Sequence, residues 1–265
     1  MAGRLWILGA ADPEMEAIET LLRACGERIE HALVRGERVS PAEAYRARLS
    51  PSADLRDVAE VYLVECDLVG NEIAHIDSVI RVDHHRPGDP GYGRPPAEFL
   101  PASSLGQVIA VLARHRRLPA SWQCIAGGIA LPAGAIGRWP ASDGRHAVAM
   151  ARPASAYRDE IALYAVPIDL VITAAADHCL AAAYAGQCPG VDPDALARWR
   201  AESRARHQGR TVEDVLADVE KARAILRAAP DMHLGGGQAV AELRDLAVPE
   251  LPEAAVRDGR AYLAT

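Results

Sequence analysis

The chain has 265 residues and a formal net charge of −7, with 36 acidic against 29 basic residues. This length can bury a substantial core in one α/β domain, or in a main domain with a smaller appendage. The acidic balance lacks the basic field that long nucleic acids require, so we expect a small phosphorylated substrate or a short oligonucleotide as partner. Five widely spaced cysteines without a Cys-x-x-Cys pair, and no apolar run of about 18 residues, predict a cytoplasmic protein that does not enter a membrane. A homodimer is an assembly that the sequence leaves open.

The first 85 residues alternate between predicted strands and predicted helices. Apolar runs predict strands at residues 4–9, 31–34, 61–66 and 79–82. Apolar residues at helical spacing predict a helix over 13–25, and Ser40 with Pro41 is typical of the start of a second helix over 41–49. This alternation indicates the α/β class, with a doubly wound, mostly parallel sheet and helices on both faces.

Helices dominate the predicted structure after residue 101. They are expected at 104–115, 121–136, 155–164 and 170–184, with one or two more over 193–229. A short mixed tail follows and contains Gly235, Gly236 and Gly237. We therefore expect an α/β catalytic domain over 1–190, and a helical segment with a small C-terminal appendage over 191–265.

Acidic and imidazole side chains recur at the predicted strand ends. Their positions are Glu14 and Glu16 after the first strand, Asp67 after a later one, Asp83-His84-His85 after the last, and Asp177 in the Ala-rich helix. Because the carboxyl ends of parallel strands share one sheet edge, we expect these side chains to converge on a cleft. Mn²⁺ accepts mixed carboxylate and imidazole ligands, so the set predicts a two-metal centre of the kind used in phosphoryl chemistry.

The order and approximate spacing of these motifs resemble the DHH phosphoesterase superfamily over residues 4–110. In that superfamily a His follows the first strand, then Asn-Pro-Asp-x-Asp; a second strand ends in Asp; and Asp-His-His precedes a Ser-containing helix start. This chain has, at those places, Ala10, Asp12-Pro13-Glu14-Met15-Glu16, Asp67, Asp83-His84-His85 and Ser103-Ser104.

The resemblance implies a metal-dependent phosphohydrolase or phosphodiesterase that acts on a nucleotide, a cyclic dinucleotide or a short oligonucleotide. It implies two Mn²⁺ or Mg²⁺ ions, with the ligands Glu14, Glu16, Asp67, His84 and Asp177. Asp83 would orient an imidazole and His85 would face the scissile phosphate. The resemblance further implies substrate contacts from Ser103, Ser104, Gly235, Gly236 and Gly237.

The chain also departs from the superfamily pattern. Ala10 replaces the first His, and Glu14 and Glu16 replace two aspartates, which moves each carboxylate outward by ~1.5 Å. Asp12 lies at the same turn and is a candidate to replace the missing ligand. Two alternatives stay open: a module without a competent metal centre that binds a phosphorylated ligand or a partner protein, and an unrelated α/β enzyme in which His84 and His85 act without metal.

Ordinary structural roles also account for several of these residues. Glu14 and Glu16 are favoured in the first turn of a helix by its dipole, and Ser103 or Ser104 is typical of a helix cap. Asp177 could pair with an arginine. The metal hypothesis depends on Glu16, Asp67 and His84 meeting in the folded chain.

Overall fold

The computed structural model of the protein describes residues 3–124, 136–137, 146–151, 161–228, 233–234, 238–242, 256–257 and 260–264. Two compact units make up the chain. One comprises Met1–His178 with Cys188–Gly190, and the other comprises Cys179–Gln187 with Val191–Thr265.

The first unit contains both strands and helices. Its strands are β1 (Gly3–Leu8), β2 (Arg28–His31), β3 (Leu33–Val34), β4 (Glu37–Arg38), β5 (Val58–Val64), β6 (Ser78–Val82), β7 (Gln123–Cys124), β8 (Ile136–Gly137), β9 (His146–Ala151) and β10 (Ile161–Val166). Its helices are α1 (Pro13–Ala24), α2 (Phe99–Ala102), α3 (Ser104–Arg114) and α4 (Ile168–His178).

A parallel sheet of four strands, in the order β2-β1-β5-β6, forms the centre of this unit. Strand β1 reads as an apolar run because both of its faces are covered: Leu5 to Leu8 are all buried. The α/β class with a mostly parallel sheet, followed by helices, is confirmed.

One face of the sheet packs against an irregular segment. Leu5, Ile7 and Val61 share a core cluster on this face with residues of the segment 32–49. The helix predicted over 41–49 is wrong, because the chain there forms turns and a short 3-10 turn at Ala44–Arg46. Extended pairing of Leu33 with Arg48, and of Ala47 with Leu68, uses the backbone groups that a helix would need.

Helix α1 follows β1 after a short turn. Asp12 is its N-cap and accepts a hydrogen bond from the Met15 backbone N–H at 2.7 Å, while Pro13 takes the first helical position. The buried face of α1 includes Met15 and Ile18. The helix contacts β2, α3 and α4, and α3 also contacts β6, so these helices surround the strand ends.

A second, antiparallel sheet has the order β7-β10-β9-β8. It replaces the helices predicted over 121–136 and 155–164, which are wrong where the structure describes them: Gln123–Cys124, Ile136–Gly137 and Ile161–Val166 are strands. Residues 125–135 and 152–160 lie outside the described part of the chain. Non-local pairing of β10 with β9, from Ile161 opposite Ala151 to Val166 opposite His146, outweighs the helix propensity of these Ala-rich segments.

The second unit contains α5 (Leu180–Tyr184), α6 (Pro193–Gln208) and α7 (Val212–Ala228), and the strands β11 (His233–Leu234), β12 (Gln238–Glu242), β13 (Val256–Arg257) and β14 (Arg260–Ala264). The single helix predicted over 170–184 is two helices, because Cys179 leaves helical geometry with φ −148°. Gly209, with φ +64°, ends α6 in the left-handed conformation that glycine adopts without a Cβ clash. Strands β11-β12-β14-β13 form an antiparallel sheet.

Among the helices that the structure describes, none is by itself long and apolar enough to cross a membrane. Residues 96–102 and 104–114 reach the required length and apolar character only as a pair, which is bent by 52°.

Candidate metal centre

Four side chains of the first unit converge beside the carboxyl ends of β5 and β6. Glu65 directly follows β5, His84 and His85 follow β6, and Asp177 lies in the last turn of α4. One potential ligand atom from each of the four lies within 4.8 Å of those of the other three. Two carboxylates and two imidazoles at this spacing form a donor set that suits a divalent transition metal.

The backbone at Glu65 is in the left-handed region, with φ +50°. This conformation costs a residue with a Cβ atom about 1–2 kcal/mol. The parallel ladder holds it in place, because the Glu65 N–H donates to Val82 O at 3.0 Å. A Cβ at Gly9 would lie 2.5 Å from Glu65 O, so the neighbouring strand end approaches as closely as only glycine permits. The fold thus fixes the direction of the Glu65 side chain at an energetic cost.

His84 is the most deeply placed imidazole of the cluster, with a side chain that is 6 % exposed. Its Nε2 lies 3.0 Å from Asp177 Oδ2. Its Nδ1 lies 3.2 Å from Ser104 Oγ and 3.8 Å from Glu65 Oε1. The atoms that would share a cation are therefore already neighbours.

Asp83 holds His85 in place. The Asp83 carboxylate is fully buried and accepts hydrogen bonds from the backbone N–H of His84 at 2.7 Å, from that of His85 at 3.1 Å and from Tyr45 O–H at 2.9 Å. Its Oδ1 also lies 3.0 Å from His85 Nδ1. Burial acts to raise the pKa of Asp83, but these hydrogen bonds, that of His85 first, outweigh it and lower the pKa.

The bond to Asp83 fixes both the charge and the direction of the His85 ring. Its hydrogen bond raises the pKa of His85 to about 9, against an opposing effect of burial. Because Nδ1 is bound to Asp83, Nε2 is the nitrogen left to meet a cation or a substrate. The His85 side chain is 45 % exposed, so a ligand can reach it.

Glu14 adds a buried carboxyl group to the cluster. Its Oε1 accepts a hydrogen bond from the Leu105 backbone N–H at 3.0 Å. Burial raises the pKa of Glu14 well above its ordinary value, and the nearby carboxylates of Asp177 and Glu65 raise it further. Burial and then Asp177 likewise raise the pKa of Glu65 to about 7.

The cluster contains buried oxygens without partners. Neither Glu14 Oε2 nor Glu65 Oε1 has a hydrogen-bond partner in the described part of the chain. A buried carboxylate oxygen without a donor is costly, and a bound divalent cation is a partner that satisfies such an oxygen. The residues present therefore fit a divalent metal ion.

Other acidic and imidazole groups surround the cluster. Burial opposes ionisation of Asp177, but the hydrogen bond with His84 outweighs it and lowers the pKa of Asp177. Burial, followed by the charge of Asp177, raises the pKa of Asp12. The ring of His178, which the sequence did not single out, lies edge-on to His84 with centroids 5.0 Å apart. Burial, followed by His84, lowers the pKa of His178.

The structure brings together six of the expected site residues, which are Glu14, Asp83, His84, His85, Ser104 and Asp177. It does not bring Glu16 or Asp67 into the cluster. Glu16 is exposed on α1. Asp67 Oδ1 lies 2.6 Å from an amino nitrogen of Arg81, so that carboxylate already has a cationic partner. The expected meeting of Glu16, Asp67 and His84 does not occur; Glu14 and Glu65 provide the carboxylates instead.

The carboxylate that the sequence analysis missed is Glu65, and two sequence signals could have separated Glu14 from Glu16 and Glu65 from Asp67. Glu14 is four residues before Ile18 and thus shares the apolar face of α1, whereas Glu16 shares a face with the exposed Thr20. Glu65 directly follows an apolar strand, as Asp83 does after Val82, whereas Asp67 is two residues further on.

The expected substrate contacts have different outcomes. Ser103 is buried and caps α3: its Oγ accepts from the Gly106 N–H at 3.0 Å and donates to Leu100 O at 3.1 Å. Ser104 lies against His84 within the cluster. Gly235, Gly236 and Gly237 lie outside the described residues.

In comparisons with known proteins, no family model matches the chain. No curated protein and no solved structure matches it significantly either.

Proposed function

We propose that this protein is a divalent-metal-dependent phosphoesterase that acts on a nucleotide, a cyclic dinucleotide or a short oligonucleotide, as the resemblance to the DHH phosphoesterases implies. The observation that carries the proposal is the cluster of Glu65, His84, His85 and Asp177 at the ends of parallel strands, with buried carboxylate oxygens that lack a donor. Ligands of open α/β sheets bind at this edge.

Mn²⁺ is the preferred candidate ion, because it accepts carboxylate and imidazole together. Glu65, His84 and Asp177 would hold it, and Glu14, beside Asp177, would help to hold a second ion. A cation in this place supplies Lewis-acid polarisation of a phosphoryl group.

The residues of the chain contribute positioning and charge. Asp83 holds His85 through Nδ1, and the protonated ring presents Nε2–H towards the open side of the cluster. From there it can stabilise negative charge on a phosphoryl oxygen or protonate a leaving oxygen. Ser104 orients His84 by a contact with its Nδ1.

The test is the hydrolysis of bis(4-nitrophenyl) phosphate by the full chain with Mn²⁺ added. We expect turnover that requires Mn²⁺ and that falls by at least about 100-fold in His84→Ala, since second-shell losses alone reach that range. The exposed Glu16→Gln is the matched control and should retain turnover. Unchanged turnover in His84→Ala would end the proposal. Turnover that survives complete chelation would favour acid–base catalysis by His84 and His85 without metal.

A second candidate function has one observation in its favour. Ala10, at the position of the superfamily's first His, is buried and offers no ligand atom. A module that lacks a competent metal centre would bind a phosphorylated ligand, but it would show neither tight Mn²⁺ binding in a calorimeter nor turnover in the same assay.

A further inference from the structure

Arg86, the residue directly after His85, stacks on an aromatic ring. Its guanidinium carbon Cζ lies 3.1 Å from the centroid of the Tyr45 ring. A guanidinium over an aromatic face is held by the cation–π attraction, which leaves its N–H edges available. The stack therefore fixes where this cation lies without using its hydrogen-bond donors.

The acidic groups around Arg86 already have other partners. Both oxygens of Asp83 are used, one by Tyr45 O–H and the other by His85 and two backbone N–H groups. Asp89 accepts from the backbone N–H of Arg86 at 2.7 Å and pairs with Arg81 at 3.2 Å. The guanidinium of Arg86 makes no hydrogen bond or ion pair with any residue that the structure describes.

A continuous chain of contacts links this cation to the metal cluster. Tyr45 carries the guanidinium on its ring and donates its O–H to Asp83 Oδ2, and Asp83 Oδ1 holds His85. Arg86 directly follows His85 in the chain and both residues are exposed, so the guanidinium is open to a ligand. An exposed, oriented guanidinium with free edges is the group that binds phosphate oxygens in a bidentate manner.

We infer that Arg86, held on the Tyr45 ring, is a substrate-binding residue that contacts phosphate oxygens of the ligand beside His85. The inference rests on the proposed function and adds to it a specificity determinant for phosphorylated ligands. Arg86 acts through binding and does not take part in metal coordination. Its loss should therefore weaken binding of phosphate and leave Mn²⁺ affinity unchanged.

The test measures binding of inorganic phosphate to the Mn²⁺-loaded full chain by calorimetry. We expect Arg86→Gln to weaken phosphate binding about tenfold, the effect of one charge-assisted hydrogen bond at an exposed site. The phosphate affinity of Arg86→Lys should lie between those of the wild type and Arg86→Gln, because lysine keeps the charge but loses the planar arrangement of donors. Arg56→Gln, at a side chain that is 87 % exposed, is the control and should bind phosphate as the wild type does.

Two variants of Tyr45 test the stack itself. Tyr45→Phe keeps the ring and loses only the O–H bond to Asp83, so its phosphate affinity should fall less than that of Arg86→Gln, whereas Tyr45→Leu should approach the affinity of Arg86→Gln. The Nε–H resonance of Arg86, assigned by its loss in Arg86→Gln, should move on titration with phosphate. Equal phosphate affinity in Arg86→Gln and the wild type, with Mn²⁺ bound to both, would overturn this inference alone. Failure of the wild type to bind Mn²⁺ would overturn the proposed function and this inference with it.

Discussion

Glu65 and His84 meet across two neighbouring strand ends, with Glu65 Oε1 3.8 Å from His84 Nδ1. Val64 and Val82 are register partners in the parallel ladder, so the residues that follow them emerge at the same sheet edge. The Glu65 oxygen in this pair has no hydrogen-bond donor in the described part of the chain. The pair is thus the core of the candidate metal centre.

The two acids that follow β5 should differ in their effect on metal binding. We expect Glu65→Gln to lower Mn²⁺ affinity at least tenfold, because it removes an anionic ligand from the cluster. Asp67→Asn should leave it unchanged, because Asp67 pairs with Arg81 instead. Calorimetric titration of both variants with Mn²⁺ gives the comparison. The reverse order of affinities would restore Asp67 as the ligand and refute the assignment of Glu65.

Glu14 should destabilise the metal-free protein. Glu14→Gln keeps the oxygen that accepts from Leu105 N–H but removes a carboxyl group whose pKa is raised by burial and by Asp177 and Glu65, so folding no longer has to bury its charge or take up a proton. We expect the free energy of unfolding in the presence of a chelator to rise by about 1–3 kcal/mol, while Mn²⁺ affinity falls. Urea denaturation measures the first quantity and calorimetry the second.

Glu16→Gln is the matched control for this prediction. Glu16 is exposed in the first turn of α1, where its charge is favoured by the helix dipole. Loss of this charge should lower the free energy of unfolding by about 0.3–1 kcal/mol, a change opposite in sign to that expected for Glu14→Gln. A destabilised Glu14→Gln protein would mean that the Glu14 charge is compensated without a metal.

Asp83 should matter for turnover through His85. In Asp83→Asn one carboxylate oxygen becomes an amide NH₂, which donates and cannot accept, so either the Tyr45 O–H or the His85 ring loses its acceptor. We expect kcat with Mn²⁺ at saturation to fall about 10–100-fold, as for other partners that orient such a ring. The exposed Asp54→Asn should retain wild-type kcat. An Asp83→Asn protein with full kcat would exclude a positioning role for this carboxylate.

Glu19 should give the protein part of its acid sensitivity. Burial acts to raise its pKa, but hydrogen bonds from Arg23 and His31 and the charge of Arg38 outweigh this effect and lower the pKa from 4.5 to about 2. A lowered pKa in the folded state means that the stabilisation is complete above the unfolded value of 4.5 and is lost as the pH falls towards 2.

The measurement compares wild-type and Glu19→Gln stability by urea denaturation at several pH values. The wild type should be more stable by about 1 kcal/mol or less at pH 7, since these pairs are partly exposed. The difference should shrink between pH 4.5 and pH 2. A difference that stays constant over this interval would show that the Glu19 charge does not stabilise the fold.

Much of the first half of the fold follows from local sequence. The second halves of β1 and β5 are buried on both faces and therefore read as apolar runs, and the Asp12-Pro13 pair specifies the start of α1. The antiparallel sheet of β7–β10 could not be predicted in this way. Its strands β9 and β10 are Ala-rich, β7 and β8 have only two residues each, and β7 pairs with β10, which is not its neighbour in the chain.

The sequence by itself determined that acids and imidazoles follow parallel strands, because alternating strands and helices place the carboxyl ends of the parallel strands at one edge of the sheet. Only the tertiary structure decided which acids face the cluster. Side chains two positions apart on a helix point about 200° apart. Glu14 therefore turns inward and Glu16 outward once α1 packs on its apolar face. Beyond a strand end the regular alternation of side chains stops. There the left-handed backbone of Glu65 sets the direction of its side chain. The direction of the Asp67 side chain is set by its ion pair with Arg81, which lies on another strand, and no local sequence pattern encodes either effect.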